Sequence, residues 1–166
     1  MTVALVIVGL VALQRLVELA YAQRNTQRLL ANGATESGRQ HYRLFILLHA
    51  AWLLTIGVVV VRSSSTPIHW WLIALLALLQ AARIWIIAAL GPYWTTRIIT
   101  PRDAPLVRAG PYRFVRHPNY IVVALEIAIL PLAFGLVSVA IVFTILNAAL
   151  LVVRLRDEER ALALRQ

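Results

Sequence analysis

Long apolar runs with almost no charge, separated by short segments dense in arginine, dominate the chain. Five runs stand out, at residues 2–21, 45–61, 68–90, 120–136 and 137–153. Each spans roughly 17–23 residues, the length that crosses a bilayer as a helix. The last two are nearly continuous and break only around Pro131 and Gly135. One kinked helix of about 34 residues would be ~50 Å long, too long for a ~30 Å hydrocarbon core, so this pair predicts a tight helical hairpin. The expected fold is all-α: a single polytopic membrane domain, residues 1–166, with about five transmembrane helices.

Composition sharpens that picture. Hydrophobic residues make up 61% of the chain and its mean hydropathy is +0.78, against about 45–50% apolar in ordinary soluble domains. The N-terminal run has no basic leader and no small-residue cleavage site, so it reads as a first span that stays. Without cysteine, disulfides and thiolate metal sites are excluded. The four histidines (His41, His49, His69, His117) lack ligand spacing, so no metal is expected.

Charge supplies the orientation. The net charge of +9 comes entirely from arginine, since the chain has no lysine. Such a basic balance can mark nucleic-acid binding, but here the arginines sit between hydrophobic runs, and no nucleic-acid partner is expected. Thirteen fall in the segments after the first and third runs and in the tail, against Arg62 alone on the other side. Positive-inside bias places the N-terminus outside and the tail in the cytoplasm. A multi-pass protein of a bacterial inner membrane is the expectation.

Ionisable groups within spans normally face protein or water, because facing lipid is costly. Arg15 and Glu18 are expected to form an intrahelical ion pair near the interface. Arg83 needs a carboxylate, and Glu126 is the natural candidate; charge reversal at both positions is expected to rescue a defect caused by either alone. His49 is expected to bond between helices, and Asn147 to glue helices together.

The densest chemistry lies in GPYRFVRHPNY, Gly110 to Tyr120, and in the tail RLRDEERALALRQ. Pro118 fits the first turn of a helix, which makes the fourth span begin near His117 with its free N–H groups and positive dipole toward the motif. Arg113 and Arg116 add cations, and Tyr112, Phe114 and Tyr120 add aromatic faces, which suits an anionic group beside a flat ring. The tail answers with Asp157, Glu158 and Glu159 beside Arg154, acids where the chain leaves lipid.

GPYRFVRHPNY followed, after a hydrophobic hairpin, by RLRDEERAL resembles the isoprenylcysteine carboxyl methyltransferase family and its bacterial relatives, membrane enzymes that use S-adenosylmethionine. LGPYWTTRI, Leu90 to Ile98, also looks like the family's segment before the cofactor region. The match is best over 90–164; earlier, RNTQRLLANGATESGRQHY looks like the bacterial branch. The resemblance implies a cytoplasmic cofactor site built by the 91–119 loop and a C-terminal helix. On it, Gly110, Tyr112, His117, Pro118, Tyr120 and Glu158 would contact S-adenosylmethionine, and backbone at Leu106 and Val107 would hold its adenine. Arg116, Arg154 and Glu159 match positions regarded as catalytic or substrate-orienting. One departure concerns closure: eukaryotic members have a longer tail, whereas this chain stops seven residues after Glu159. Any lid that tail provides is missing or is replaced by the segment from Arg97 to Pro111.

The residues agree with methyl transfer, which mainly requires two reactants positioned and water excluded. The seven glycines are isolated and no G-x-G-x-x-G occurs, so a nucleotide-like donor must be held by helix ends. A carboxylate acceptor needs only an arginine clamp, with Arg116 or Arg154 the candidates; a phenol or enol needs a base, for which Glu159 or His117 is the choice. The expected partners are membrane lipids and a lipophilic acceptor entering from the bilayer. By analogy that acceptor is isoprenylcysteine-like, a long-chain polyketide such as a pyrone or resorcinol, or a phospholipid headgroup. The alternative is a small transporter or channel using Arg83, Glu126 and His49 as a polar path.

Overall fold

The structure is a computed structural model and describes residues 2–101 and 107–163. Its helices are α1 Thr2–Ala31, α2 Arg39–Arg62, α3 Trp70–Leu90, α4 Pro118–Ala133 and α5 Val137–Ala163. Two strands, β1 Thr35–Ser37 and β2 Ile98–Thr100, pair antiparallel with Glu36 opposite Ile99. The chain is all-α as expected apart from this ribbon. Strands of three residues are too short to show alternation in a sequence, so the pattern misses them. α1, α2, α3 and α5 are long and apolar enough to cross a membrane. α4 is shorter than expected: its 16 residues reach only ~24 Å against a ~30 Å hydrocarbon core.

The helices bury narrow seams. In α1 the buried positions Ala4, Val8, Val11, Glu18, Ala22, Asn25 and Leu29 follow the alternating three- and four-residue steps of a left-handed helix-packing seam, with Arg15 at the step between Val11 and Glu18. α3 repeats the spacing with Leu72, Leu76, Leu79, Arg83 and Ile86. Away from the seams the surface remains apolar: Leu13, Leu16, Leu54, Leu78 and Ile84 are each more than half exposed. Helices facing water would carry polar groups there; these faces suit lipid. α4 packs between α3 and α5, and α2 packs against α5 and α1.

The α4–α5 hairpin forms as the sequence predicts. Gly135 takes φ 72°, its N–H donates to the Leu132 carbonyl at 3.0 Å, and the Leu136 N–H reaches the Pro131 carbonyl at 2.9 Å. This is a glycine-terminated helix end that satisfies two carbonyls. The His69 N–H donates to the Ala133 carbonyl at 2.9 Å, so His69 sits by the end of α4 while His117 precedes its start. Both short connections lie at that end of the bundle, and the arginine-rich segments lie at the other.

The charged residues on the seams meet in the interior. Arg83 pairs with Glu126 at 3.0 Å, as expected, but its Nε also bonds Glu18 at 2.7 Å. Arg15 reaches Glu18 at 2.9 Å and also bonds Glu126. Gln14 bridges Glu18 and Gln80 at 2.9 and 2.7 Å. The expected intrahelical Arg15–Glu18 pair forms, but it is also half of a four-charge cluster tying α1, α3 and α4. Removing one member strands a buried charge, which costs about 3–5 kcal/mol. His49 departs from expectation too, since its Nδ1 bonds the Phe45 carbonyl of its own helix at 2.8 Å. Asn147 is buried as expected, with its side-chain carbonyl unpartnered among the described residues.

Candidate active site

Pro118 opens α4 after His117, because a proline at the first helical position supplies the right φ and lacks only an N–H that would have no partner. This sets Tyr120 against the end of α5. The Tyr120 hydroxyl donates to Glu158 and accepts from Arg154 Nε at 2.9 Å. Arg154 Nη2 donates to the Thr96 carbonyl at 2.7 Å, and its guanidinium lies 5.1 Å from the Phe45 ring centre. The His117 ring stacks on Tyr120 with centroids 5.5 Å apart, and its Nδ1 is 3.8 Å from Glu158. One network thus joins α2, α4, α5 and the segment after α3.

The ribbon roofs this network. Glu36 pairs with Arg97 at 3.2 Å, Arg97 lies 4.7 Å over the Tyr42 ring, and His41 pairs with Asp157 at 3.1 Å. Asn25 fixes the turn after α3 by donating to the Trp94 carbonyl at 2.9 Å. Residues 97–100 therefore form one wall of the space beside Tyr120.

Two cavities flank Tyr120. The first, about 220 Å³, lies under the ribbon and is walled by Tyr112, Arg116, His117 and Glu158 together with Ile98 and Thr100. The second, about 350 Å³, runs between α1 and α2 along mainly apolar side chains. Leu16 and Ile46 line it and are exposed, so it opens sideways toward lipid. Trp94, Thr95, Asn119, Tyr120 and Arg154 line both. In that shared wall the Trp94 indole N–H and the Asn119 side-chain carbonyl are buried without partners among the described residues. Burial, followed by the Glu158 charge, pushes the Tyr112 phenol above its ordinary value, so it faces the first cavity as a neutral hydroxyl.

Of the residues singled out in the sequence, Val107, Tyr112, Arg116, His117, Tyr120, Arg154 and Glu158 come together around the first cavity. Gly110 does not line it. It takes φ 56° and packs on α3, where a Cβ would lie 2.9 Å from that of Ala89; its glycine is required by backbone and packing. Pro118 is buried at the start of α4 and acts on the site through the helix it opens. Glu159 is exposed and lines no described cavity, because one residue along α5 turns its side chain about 100° away from Glu158. Leu106 lies outside the described residues. The sequence reading passed over Trp94, Thr95 and Thr96, although they sit within LGPYWTTRI, and over Asn119 inside the motif itself.

Apolar helices surrounding a polar cavity at one end define a multi-pass membrane protein with a site at its arginine-rich end. The profile of the isoprenylcysteine carboxyl methyltransferase (ICMT) family matches residues 72–164, and the chain belongs to that family. It is 37% identical over 158 residues to YpbQ of Bacillus subtilis (strain 168), a protein described as uncharacterized, covering 94% of each chain. An uncharacterized protein of Haemophilus influenzae is 25% identical over 155 residues, covering 90% of this chain and 88% of that one. No solved structure gives a significant match.

Proposed function

We propose that the chain is a membrane methyltransferase that takes S-adenosylmethionine in the cavity under the ribbon and a lipophilic acceptor in the cavity open to lipid. The observation that carries this reading is the wall of five residues common to both cavities, since methyl transfer needs its two reactants in line and in contact. The residues of the first cavity fit the donor. Glu158 suits its ammonium or sulfonium, Arg116 its carboxylate, and Tyr112 and Trp94 its adenine. When bound, the donor supplies an electrophilic methyl group. Arg154, tied to Tyr120 and Thr96, orients the acceptor's polar head at the shared wall, and the ribbon excludes water. The arginine distribution supports a cytoplasmic position for this end and an external N-terminus, with α4 read as a short fifth span.

The transporter reading has less support. Arg83 and Glu126 are held by each other and by Glu18 and Arg15, while His49 bonds its own helix, so the three form no hydrogen-bonded chain among the described residues. The test is to incubate purified protein and labelled methyl donor with a membrane lipid extract and identify the product by mass spectrometry. A labelled lipid that disappears with Glu158→Gln supports the reading; no labelled product from any lipid fraction overturns it.

A further inference from the structure

The acceptor cavity contains one basic atom that nothing in the fold uses. His49 lines it from α2, one turn deeper than Phe45, on whose ring Arg154 stacks. Because Nδ1 lies 2.8 Å from the Phe45 carbonyl, Nδ1 must carry the hydrogen, and in the neutral ring Nε2 is a bare lone pair. Among the described residues Nε2 has no hydrogen-bond partner, and unlike the orphaned interior atoms it is not sealed from the cavity. Among the described residues lining the cavity the one carboxylate, Glu18, is committed with both oxygens to Arg83, Arg15 and Gln14. Arg154, stacked on Phe45 one turn away, lines the same cavity, and its Nη1 makes no hydrogen bond among the described residues.

We propose that His49 is the general base of the acceptor site and that the acceptor carries a hydroxyl rather than a carboxylate. This rests on the methyltransferase reading above. A carboxylate is already ionised and would set its lone pairs against that of His49 Nε2. A phenol or enol hydroxyl donates to Nε2 and leaves its oxygen to Arg154. In the reaction the acceptor oxygen forms the new bond to carbon, the donor sulfur keeps the electron pair of the bond that breaks, and the hydroxyl proton passes to Nε2. The imidazolium formed is relieved by water once the product leaves toward lipid.

The experiment measures binding without methyl donor. The protein in lipid nanodiscs is titrated with para-dodecylphenol and with dodecanoate, empty nanodiscs serving as the blank. Wild type is expected to bind the phenol about tenfold tighter, the value of one well-placed hydrogen bond, and His49→Phe to abolish that preference. His49→Gln keeps a hydrogen-bond acceptor without a proton acceptor, so it retains the preference while phenol methylation falls about a hundredfold or more. Unchanged binding of S-adenosylhomocysteine by both variants shows that they are folded. Dodecanoate binding as tightly as the phenol, or an undiminished preference in His49→Phe, overturns the proposal. Failure of wild type to bind S-adenosylhomocysteine removes the donor site instead, and the phenol ratio still decides whether His49 receives a hydroxyl.

Discussion

The interior cluster and the Tyr120 network both place charge among apolar helices, yet they differ in where they stand. In the interior, two arginines and two glutamates pair with one another and none of the four is more than slightly exposed, although Arg15 Nε and Glu126 Oε1 are buried without partners among the described residues. At the arginine-rich end, Arg154, Tyr120 and Glu158 bond one another but also face two cavities, with unsatisfied atoms of Trp94 and Asn119 beside them. Charge inside a membrane protein is thus a poor sign of function taken alone. What separates the two regions is position: Arg15, Glu18 and Arg83 line the second cavity alone, whereas Tyr120 and Arg154 stand in the wall common to both.

The largest expected effect breaks the interior cluster. Glu126→Leu leaves Arg83 and Arg15 competing for Glu18 and should destabilise the fold by about 3–5 kcal/mol, read as lost monodispersity and a lowered unfolding midpoint in detergent. Exchanging the charges with Arg83→Glu and Glu126→Arg separates a simple pair from the four-charge cluster. Rescue is expected for the pair, but here the exchange sets a glutamate beside Glu18 and an arginine beside Arg15. No rescue is predicted in the same unfolding measurement.

At the other end, Glu158→Gln should leave the unfolding midpoint nearly unchanged while weakening S-adenosylhomocysteine about tenfold or more by calorimetry, since a charge-assisted bond is lost. Gly110→Ala should cost about 1–2 kcal/mol of stability through its positive φ and the contact with Ala89, with donor affinity following only the folded fraction. The smallest effect belongs to Glu159→Ala. That exposed carboxylate should change donor affinity less than twofold and stability within about 0.5 kcal/mol; a Glu159 defect as large as that of Glu158 would mean the two carboxylates exchange places in the working enzyme.

Much of this architecture is legible in the sequence. Run lengths locate the helices, Pro131 and Gly135 mark the hairpin, and Pro118 marks the start of α4. The Arg83–Glu126 pair can be inferred because each needs a partner. What escapes is long-range geometry. Arg15 and Glu18 sit three residues apart and satisfy a local reading, although both fall on the buried seam of α1, which was the available clue. Glu158 and Glu159 are indistinguishable as letters, and only the helical turn decides which faces the cavity. His49 reads as a bridge between helices, whereas its bond to its own backbone frees the other nitrogen. The ribbon forms from two segments more than sixty residues apart, and no local pattern announces it.

The central claim is that Glu158, Tyr120 and Arg154 close one donor pocket next to a lipid-facing acceptor pocket. Calorimetric titration of the wild-type protein in nanodiscs with S-adenosylhomocysteine, repeated with Glu158→Gln, tests it most directly. Saturable one-to-one binding that weakens about tenfold in the variant is the predicted result. A well-folded wild type that takes up none, or a variant that binds as tightly as wild type, contradicts it.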